Sequence, residues 1–216
     1  MDGTQEDVRS RLSAQRPGDQ PLAGLSAVAP GRGPAPVDKW NPPFCGTIDM
    51  RIAADGTWFY QGSPIRRPAL VKLFASVLRK DPNGYVLVTP VECVGITVED
   101  VPFLAVEMAL DGAGALHFRT NVDDLVVVDG DHPLRFETDS DGGLRPYLRV
   151  RGDLWARLTR ALVHDLVELA EDRDGLFGVP SGALFFPIAA MDALDASAET
   201  ADASQAGGRS GGARDD

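Results

Sequence analysis

Ile65-Arg66-Arg67-Pro68-Ala69-Leu70-Val71-Lys72-Leu73-Phe74-Ala75-Ser76-Val77-Leu78 and Val150-Arg151-Gly152-Asp153-Leu154-Trp155-Ala156-Arg157-Leu158-Thr159-Arg160-Ala161-Leu162-Val163 read alike: a short strand, an arginine, then an amphipathic helix. Laid together without gaps, Ile65 falls on Val150, Arg66 on Arg151, Leu70 on Trp155, Lys72 on Arg157, Leu73 on Leu158 and Val77 on Leu162. Internal likeness of this kind predicts a duplicated unit. The fold class expected is α+β, built from two related sheet-plus-helix halves.

Around the first stretch, Ile48, Met50 and Ile52 alternate with Asp49, Arg51 and Ala53, the period of a strand buried on one face. Asp55-Gly56 makes a hairpin turn, and Trp58 and Tyr60 share one side of the return strand. Pro68 suits the first turn of a helix, where a missing N–H costs nothing. Leu70, Val71, Leu73, Phe74, Val77 and Leu78 form its apolar stripe, and Asp81-Pro82-Asn83-Gly84 ends it.

Strands are predicted from there at Tyr85–Thr89, Glu92–Val98, Phe103–Leu110, Ala115–Arg119, Leu125–Val128, Leu134–Thr138 and Tyr147–Val150. A closing helix should follow, capped by Asp153, with Trp155, Leu158, Leu162, Leu166 and Leu169 on its buried stripe. The C-terminal half is therefore expected to be a mainly antiparallel β-meander or partial barrel closed by a helix, like a pleckstrin-homology fold. The domain reading is a flexible arm over 1–38, an N-terminal hairpin-plus-helix domain over 39–88, a C-terminal β-rich domain over 89–191, and an acidic disordered tail over 192–216.

The chain has 216 residues, 44% of them hydrophobic, and a formal net charge of −11. That is enough apolar material for a core, and the wrong charge for a general nucleic-acid binder. Met1-Asp2-Gly3-Thr4-Gln5-Glu6-Asp7 lacks a secretory n-region and h-region, and no apolar run reaches membrane-spanning length. A cytoplasmic protein is expected. Cys45 and Cys93 stand far apart without metal spacing, which reads as two reduced, buried thiols.

No catalytic motif emerges. His117, His132 and His164 have separate contexts, so no metal site is expected, and of the three His132, in a loop before Pro133, has the more functional setting. Thr138-Asp139-Ser140-Asp141-Gly142-Gly143 holds only a fragment of a calcium loop and reads better as a hairpin turn. Gly178-Val179-Pro180-Ser181-Gly182 is not a nucleophile elbow. No cofactor is implied. Basic residues gather in and beside the two repeated stretches: Arg66, Arg67, Lys72, Arg79 and Lys80 with one, Arg145, Arg149, Arg151, Arg157 and Arg160 with the other. If those stretches faced each other, the guanidinium groups would line a groove suited to carboxylate or phosphate.

The run Phe44-Cys45-Gly46-Thr47-Ile48-Asp49-Met50-Arg51-Ile52 through Trp58-Phe59-Tyr60-Gln61-Gly62-Ser63-Pro64-Ile65-Arg66-Arg67 resembles a bacterial family known as domain of unknown function 1285. Leu87-Val88-Thr89-Pro90-Val91-Glu92, Ile96 to Phe103, Phe118-Arg119-Thr120-Asn121, His132-Pro133-Leu134 and Pro146 to Arg151 continue the likeness, and Gly182 with Phe185-Phe186-Pro187 closes it. Cys93 departs from it, at a position the family often fills with Lys, and so does Pro180-Ser181-Gly182-Ala183, against the usual Trp-Ser-Gly-Gly. The resemblance implies two structurally related domains, a C-terminal one with an outward likeness to pleckstrin-homology domains, a binding groove between them and a role in signalling or regulation. It implies no catalytic residue.

The function expected is a non-enzymatic binding module that takes a protein segment or a small acidic ligand at that groove. The candidate ligand-binding residues are Arg66, Arg67, Asp100, Asn121, His132, Tyr147 and Arg151. The alternative is an enzyme assembled from loop residues around His132. Neither nucleic acid nor membrane insertion is expected, and the uncharged segment from Gly175 to Met191 offers a third reading, as a docking element for a partner.

Overall fold

The computed structural model of the chain describes residues 35–190. The expected arm and tail lie outside those residues, except for 35–38 at the end of the arm. These four are in place. Ala35 N–H donates to the Ser76 carbonyl at 3.0 Å, and Val37 is buried in a 3-10 turn at Val37–Lys39. The last four residues of the expected arm are thus ordered, because Val37 supplies apolar surface that its Pro- and Ala-rich surroundings hide in the sequence.

The described residues form two units. One runs to Pro102 and includes Gly152–Leu154; the other holds Phe103–Arg151 and continues from Trp155. The first contains β1 (Phe44–Ile52), β2 (Trp58–Tyr60), β3 (Ser63–Pro64), α1 (Pro68–Ser76), β4 (Leu78–Asp81), β5 (Gly84–Val88) and β6 (Cys93–Val98). Its strands lie in the order β3-β2-β1-β6-β5-β4, with β1 and β6 parallel at the centre. The alternation of Met50 and Ile52 puts both in the core, and Asp55-Gly56 turns the chain back, Gly56 adopting φ +80°. Trp58, 1% exposed, stacks on Phe74 of α1 with ring centroids 6.2 Å apart. That contact fastens the helix to the sheet. The Trp58 indole N–H is buried without a hydrogen-bond partner among the described residues.

The second unit contains β7 (Phe103–Leu110), β8 (Leu116–Thr120), β9 (Leu125–Val127), β10 (Leu134–Thr138), β11 (Leu144–Arg151), β12 (Leu154–Leu158, all but its first residue), α2 (Arg160–Glu168), β13 (Glu171–Arg173), β14 (Leu176–Ser181) and β15 (Leu184–Ala190). The main sheet runs β10-β11-β12-β7-β8-β9, with β7 and β12 parallel at the centre. Phe103, Ala105, Leu116, Phe118, Leu148 and Leu158 fill its core face, joined by Leu166 of α2. A separate sheet, β13-β14-β15, follows the helix.

The halves are related, as read from the sequence, but by topology rather than by the ungapped alignment of the two arginine-bearing stretches. Each main sheet has six strands, and in each the first and last of the six run parallel at the centre, with the others flanking in the same order. Within that scheme Ile65–Leu78 joins the third strand to the fourth, whereas Val150–Val163 spans the end of the fifth, the whole sixth and the start of α2. The protein is mostly β, and α+β describes it only loosely.

Three local expectations change for one reason. The helix expected from Asp153 is instead β12, followed by α2 from Arg160, because Leu154, Ala156 and Leu158 are buried at alternate positions. Trp155 therefore lies on the opposite strand face, half-buried, and not on a helix stripe. α1 likewise stops at Ser76; Leu78–Asp81 pairs antiparallel with β5, and Pro82-Asn83 becomes a hairpin turn rather than a helix terminus. The domain boundary expected at 88/89 falls inside the first sheet, since β6 pairs with both β5 and β1; the units divide after Pro102. The second main sheet is mainly antiparallel and curls into a half-barrel, in keeping with the meander or partial barrel expected, but β7 and β12 pair in parallel at its centre, as β1 and β6 do in the first.

Candidate functional site

The seven residues singled out from sequence are divided between the units. Arg66 and Arg67 are exposed just before α1 in the first. The Arg67 carbonyl accepts the Leu70 and Val71 amides at 3.0 and 3.2 Å, so its backbone opens the helix while its side chain stays in solvent. Asp100 is half-buried after β6.

In the second unit, Asn121 and Arg151 come to the same end of β7. Asn121 donates its N–H to the Leu104 carbonyl at 2.8 Å and accepts the Leu104 N–H on Oδ1 at 3.1 Å, which ties the β8–β9 turn to β7. The Arg151 guanidinium is ion-paired with Asp124 and sits 5.0 Å from the Phe103 ring centroid. His132 lies elsewhere, in the Asp129–His132 turn before β10. Its N–H and Nδ1 lie 2.8 and 3.0 Å from the same Asp129 oxygen. Burial raises the Asp129 pKa, but the hydrogen bonds from His132 and Asp131 outweigh it, and the carboxyl titrates below its ordinary value.

Tyr147 is 2% exposed, and what covers it was not foreseen. The Arg135 guanidinium lies 4.8 Å from the Tyr147 ring centroid and 4.4 Å from that of Trp155. Those contacts put β10, β11 and β12 side chains on one face. Alternation along β11 brings Arg145 and Arg149 to the face of Tyr147, and along β12 it brings Arg157 beside Trp155. Glu137 shares the face, paired with Arg135 at 3.1 Å and opposite Arg145 in register. Stacked guanidinium groups beside aromatic rings are suited to planar anions, since they combine charge, paired donors and a flat apolar surface. The period-2 run Arg145-Pro146-Tyr147-Leu148-Arg149 announced this face in the sequence; Arg135 did not stand out, because only strand pairing brings it there.

The other chemistry weighed from sequence resolves into structure. His117 Nε2 meets Asp111 Oδ2 at 3.1 Å. Asp139 Oδ1 accepts the Asp141 and Gly143 amides at 3.0 and 2.7 Å, closing the β10–β11 turn with its own backbone. Among the described residues no three His, Cys, Asp or Glu side chains cluster as metal ligands. Both cysteines are free thiols, but only Cys93 is buried, and burial pushes its pKa up; Cys45, expected in the core, is exposed near the start of β1. No helix among the described residues is long and apolar enough to cross a membrane.

Two family models match consecutive stretches of the chain. Residues 35–101 match the N-terminal domain of a domain of unknown function (DUF1285), and residues 102–188 match the C-terminal domain of a protein of unknown function (DUF1285). The chain belongs to the DUF1285 family. The junction of the two DUF1285 domains, between residues 101 and 102, lies one residue from the division after Pro102. A DUF1285 family protein from Silicibacter pomeroyi DSS-3, known from a 2.50 Å crystal structure, is 47% identical, with a TM-score of 0.75 over 81% of this chain and 97% of that one. A second DUF1285 protein, from Shewanella baltica OS155, is 32% identical over 55% of this chain and 90% of its own, with a TM-score of 0.47. The comparison with curated proteins found no match.

Proposed function

We propose that this DUF1285 protein is a non-enzymatic binding module that recognises an acidic ligand or an acidic protein segment, in a signalling or regulatory setting in the cytoplasm. The observation that carries the reading is the stacking of Arg135 on Tyr147 and Trp155, on a face that also holds Arg145, Arg149 and Arg157. A chain of net charge −11 has little reason to gather arginines on one sheet face for solubility alone. Arg66, Arg67, Asp100, Asn121, His132 and Arg151 remain ligand-binding candidates in the same proposal. So does the pleckstrin-homology-like reading of the second unit, which a six-stranded sheet followed by α2 supports.

The alternative, an enzyme built around His132, draws on the pairing of His132 with Asp129. Both groups belong to one turn rather than converging from separate elements, which is the arrangement of a turn lock. Binding is therefore the conclusion. Fluorescence anisotropy with a labelled glutamate octapeptide tests it, comparing the unaltered chain with Arg135→Glu and Arg149→Glu. The expected result is a loss of about tenfold or more in affinity for each variant, with the thermal midpoint little changed. Binding that is unaffected by either substitution would defeat the reading.

A further inference from the structure

β9 forms one end of the second unit's main sheet. Its pairing with β8 is antiparallel and without a register shift. The Thr120 N–H donates to the Asp124 carbonyl at 2.9 Å, and the Val128 N–H to the Leu116 carbonyl at 2.8 Å. Positions 124, 126 and 128 therefore turn their backbone groups toward β8, and Leu125 and Val127 turn theirs out of the sheet edge. The Leu125 and Val127 side chains are 80% and 40% exposed, while Val126 between them is buried. The strand carries no proline, lysine or bulge; what guards it is its length of three residues and the aspartates on either side, and charge deters only partners of like sign. With no backbone partner for Leu125 or Val127 among the described residues, an edge with two outward-turned residues and two exposed apolar side chains is a template for another strand.

The charge around the edge selects what can pair. Asp123 and Asp124 precede β9, Asp129 and Asp131 follow it, and Glu107 and Asp111 lie on the strand and turn beyond β8. Arg119 and Arg151 offset part of this charge through their ion pairs with Glu107, Asp123 and Asp124. The rim stays acidic. A second copy is disfavoured: in the antiparallel register that matches the outward groups, Leu125 meets Val127 of the other copy, and Asp123 falls opposite Asp129.

We propose that β9 is a docking edge for an extended cationic protein segment, with apolar side chains at alternate positions between ends bearing Lys or Arg. This site is separate from the arginine face and does not depend on it.

The test uses the full chain and two synthetic nonapeptides, Lys-Lys-Val-Thr-Val-Thr-Val-Lys-Lys and the same core with Ser replacing Lys, a neutral control that the arginine face has no charge to attract. The Lys peptide should bind about tenfold or more tighter at low salt, and weaken as salt rises. Its binding should slow amide exchange at Leu125 and Val127 in NMR spectra. Val127→Pro deletes an outward donor without deleting a bond to β8, so it should abolish binding while the sheet persists. Leu125→Lys, at a largely solvated position, is the second variant should proline disturb the fold, and it should weaken the Lys peptide by about tenfold. Equal affinity for the two peptides, exchange protection away from β9, or self-association of the chain through Leu125 and Val127 in sedimentation would each overturn the proposal.

Discussion

The hydroxyl of Ser181 reaches from the end of β14 to donate a hydrogen bond to the Val128 carbonyl, 2.8 Å away. The same oxygen accepts the Leu116 N–H at 3.0 Å, and the side chain is 2% exposed. One buried hydroxyl thus ties the β13–β15 sheet to the end of β8 and the residue after β9. Ser181, between Pro180 and Gly182 in a stretch that does not form a nucleophile motif, is a structural tie. Ser181→Ala should leave the Leu116 amide and the Val128 carbonyl unsatisfied, at a cost of about 1–3 kcal/mol. Urea unfolding of the variant measures it, and an unchanged midpoint would mean that apolar contacts and the Gly182 N–H to Gly114 carbonyl bond suffice to hold the two sheets.

Trp58 offers a contrast between shape and polarity. Truncation to Ala removes the stack on Phe74 and opens a cavity, for about 3–5 kcal/mol. Trp58→Phe should cost clearly less, because it keeps an aromatic face for Phe74 and removes a buried N–H that has no partner among the described residues. A Phe variant as unstable as the Ala variant would show that the whole indole outline is needed.

Arg79 fastens the entry of the chain. Its guanidinium donates to the Val37 and Trp40 carbonyls at 2.9 and 2.8 Å and to both Asp81 oxygens at 2.6 and 2.9 Å. Lysine cannot make this fork. Arg79→Lys should therefore destabilise by about 1–3 kcal/mol and speed amide exchange over Val37–Trp40 before it affects β5.

Several carboxylates titrate below their ordinary values. Asp111 is lowered chiefly by its His117 side-chain hydrogen bond and then by the Ala115 and Ala113 amides, Glu99 chiefly by the Ala54 amide, and Glu107 by Arg119. A depressed folded-state pKa adds stability that is complete above the unfolded value and is lost as pH falls through the folded one. The starting values are 3.8 for Asp and 4.5 for Glu, so the thermal midpoint should begin to fall below about pH 4.5. Asp111→Asn should flatten that fall. A midpoint unaltered from pH 6 to 3 would remove these contacts from the stability of the fold.

Gly178 sits at a register shift between β14 and β15, where an added Cβ would come within 2.6 Å of the Phe186 carbonyl oxygen and 2.7 Å of the Phe185 ring. Gly178→Ala should cost about 1–3 kcal/mol through overpacking. Calorimetry of the variant checks this, with no shift expected if β15 can slide.

The sequence alone determined most strands, the Asp55-Gly56 hairpin, the Pro68 helix start and the family, since each of these rests on local pattern: alternation along a strand, the φ freedom of glycine, proline's fixed φ, and motifs in order. It also announced a duplication, though in a register that the strand order does not keep. What the tertiary structure decided is every feature made by residues distant in the chain. The parallel pairings of β1 with β6 and β7 with β12 leave no mark on either strand, because pairing partners are chosen by backbone hydrogen bonds that any residue can make. The switch of Leu154–Leu158 from helix to strand was settled by which side chains could reach the core, and Leu154, Ala156 and Leu158 reach it only at period 2. Arg135 met Tyr147 and Trp155 for the same reason: the register of β10 on β11 set Arg135 opposite Tyr147, and no local signal in Pro133-Leu134-Arg135-Phe136 encodes that encounter.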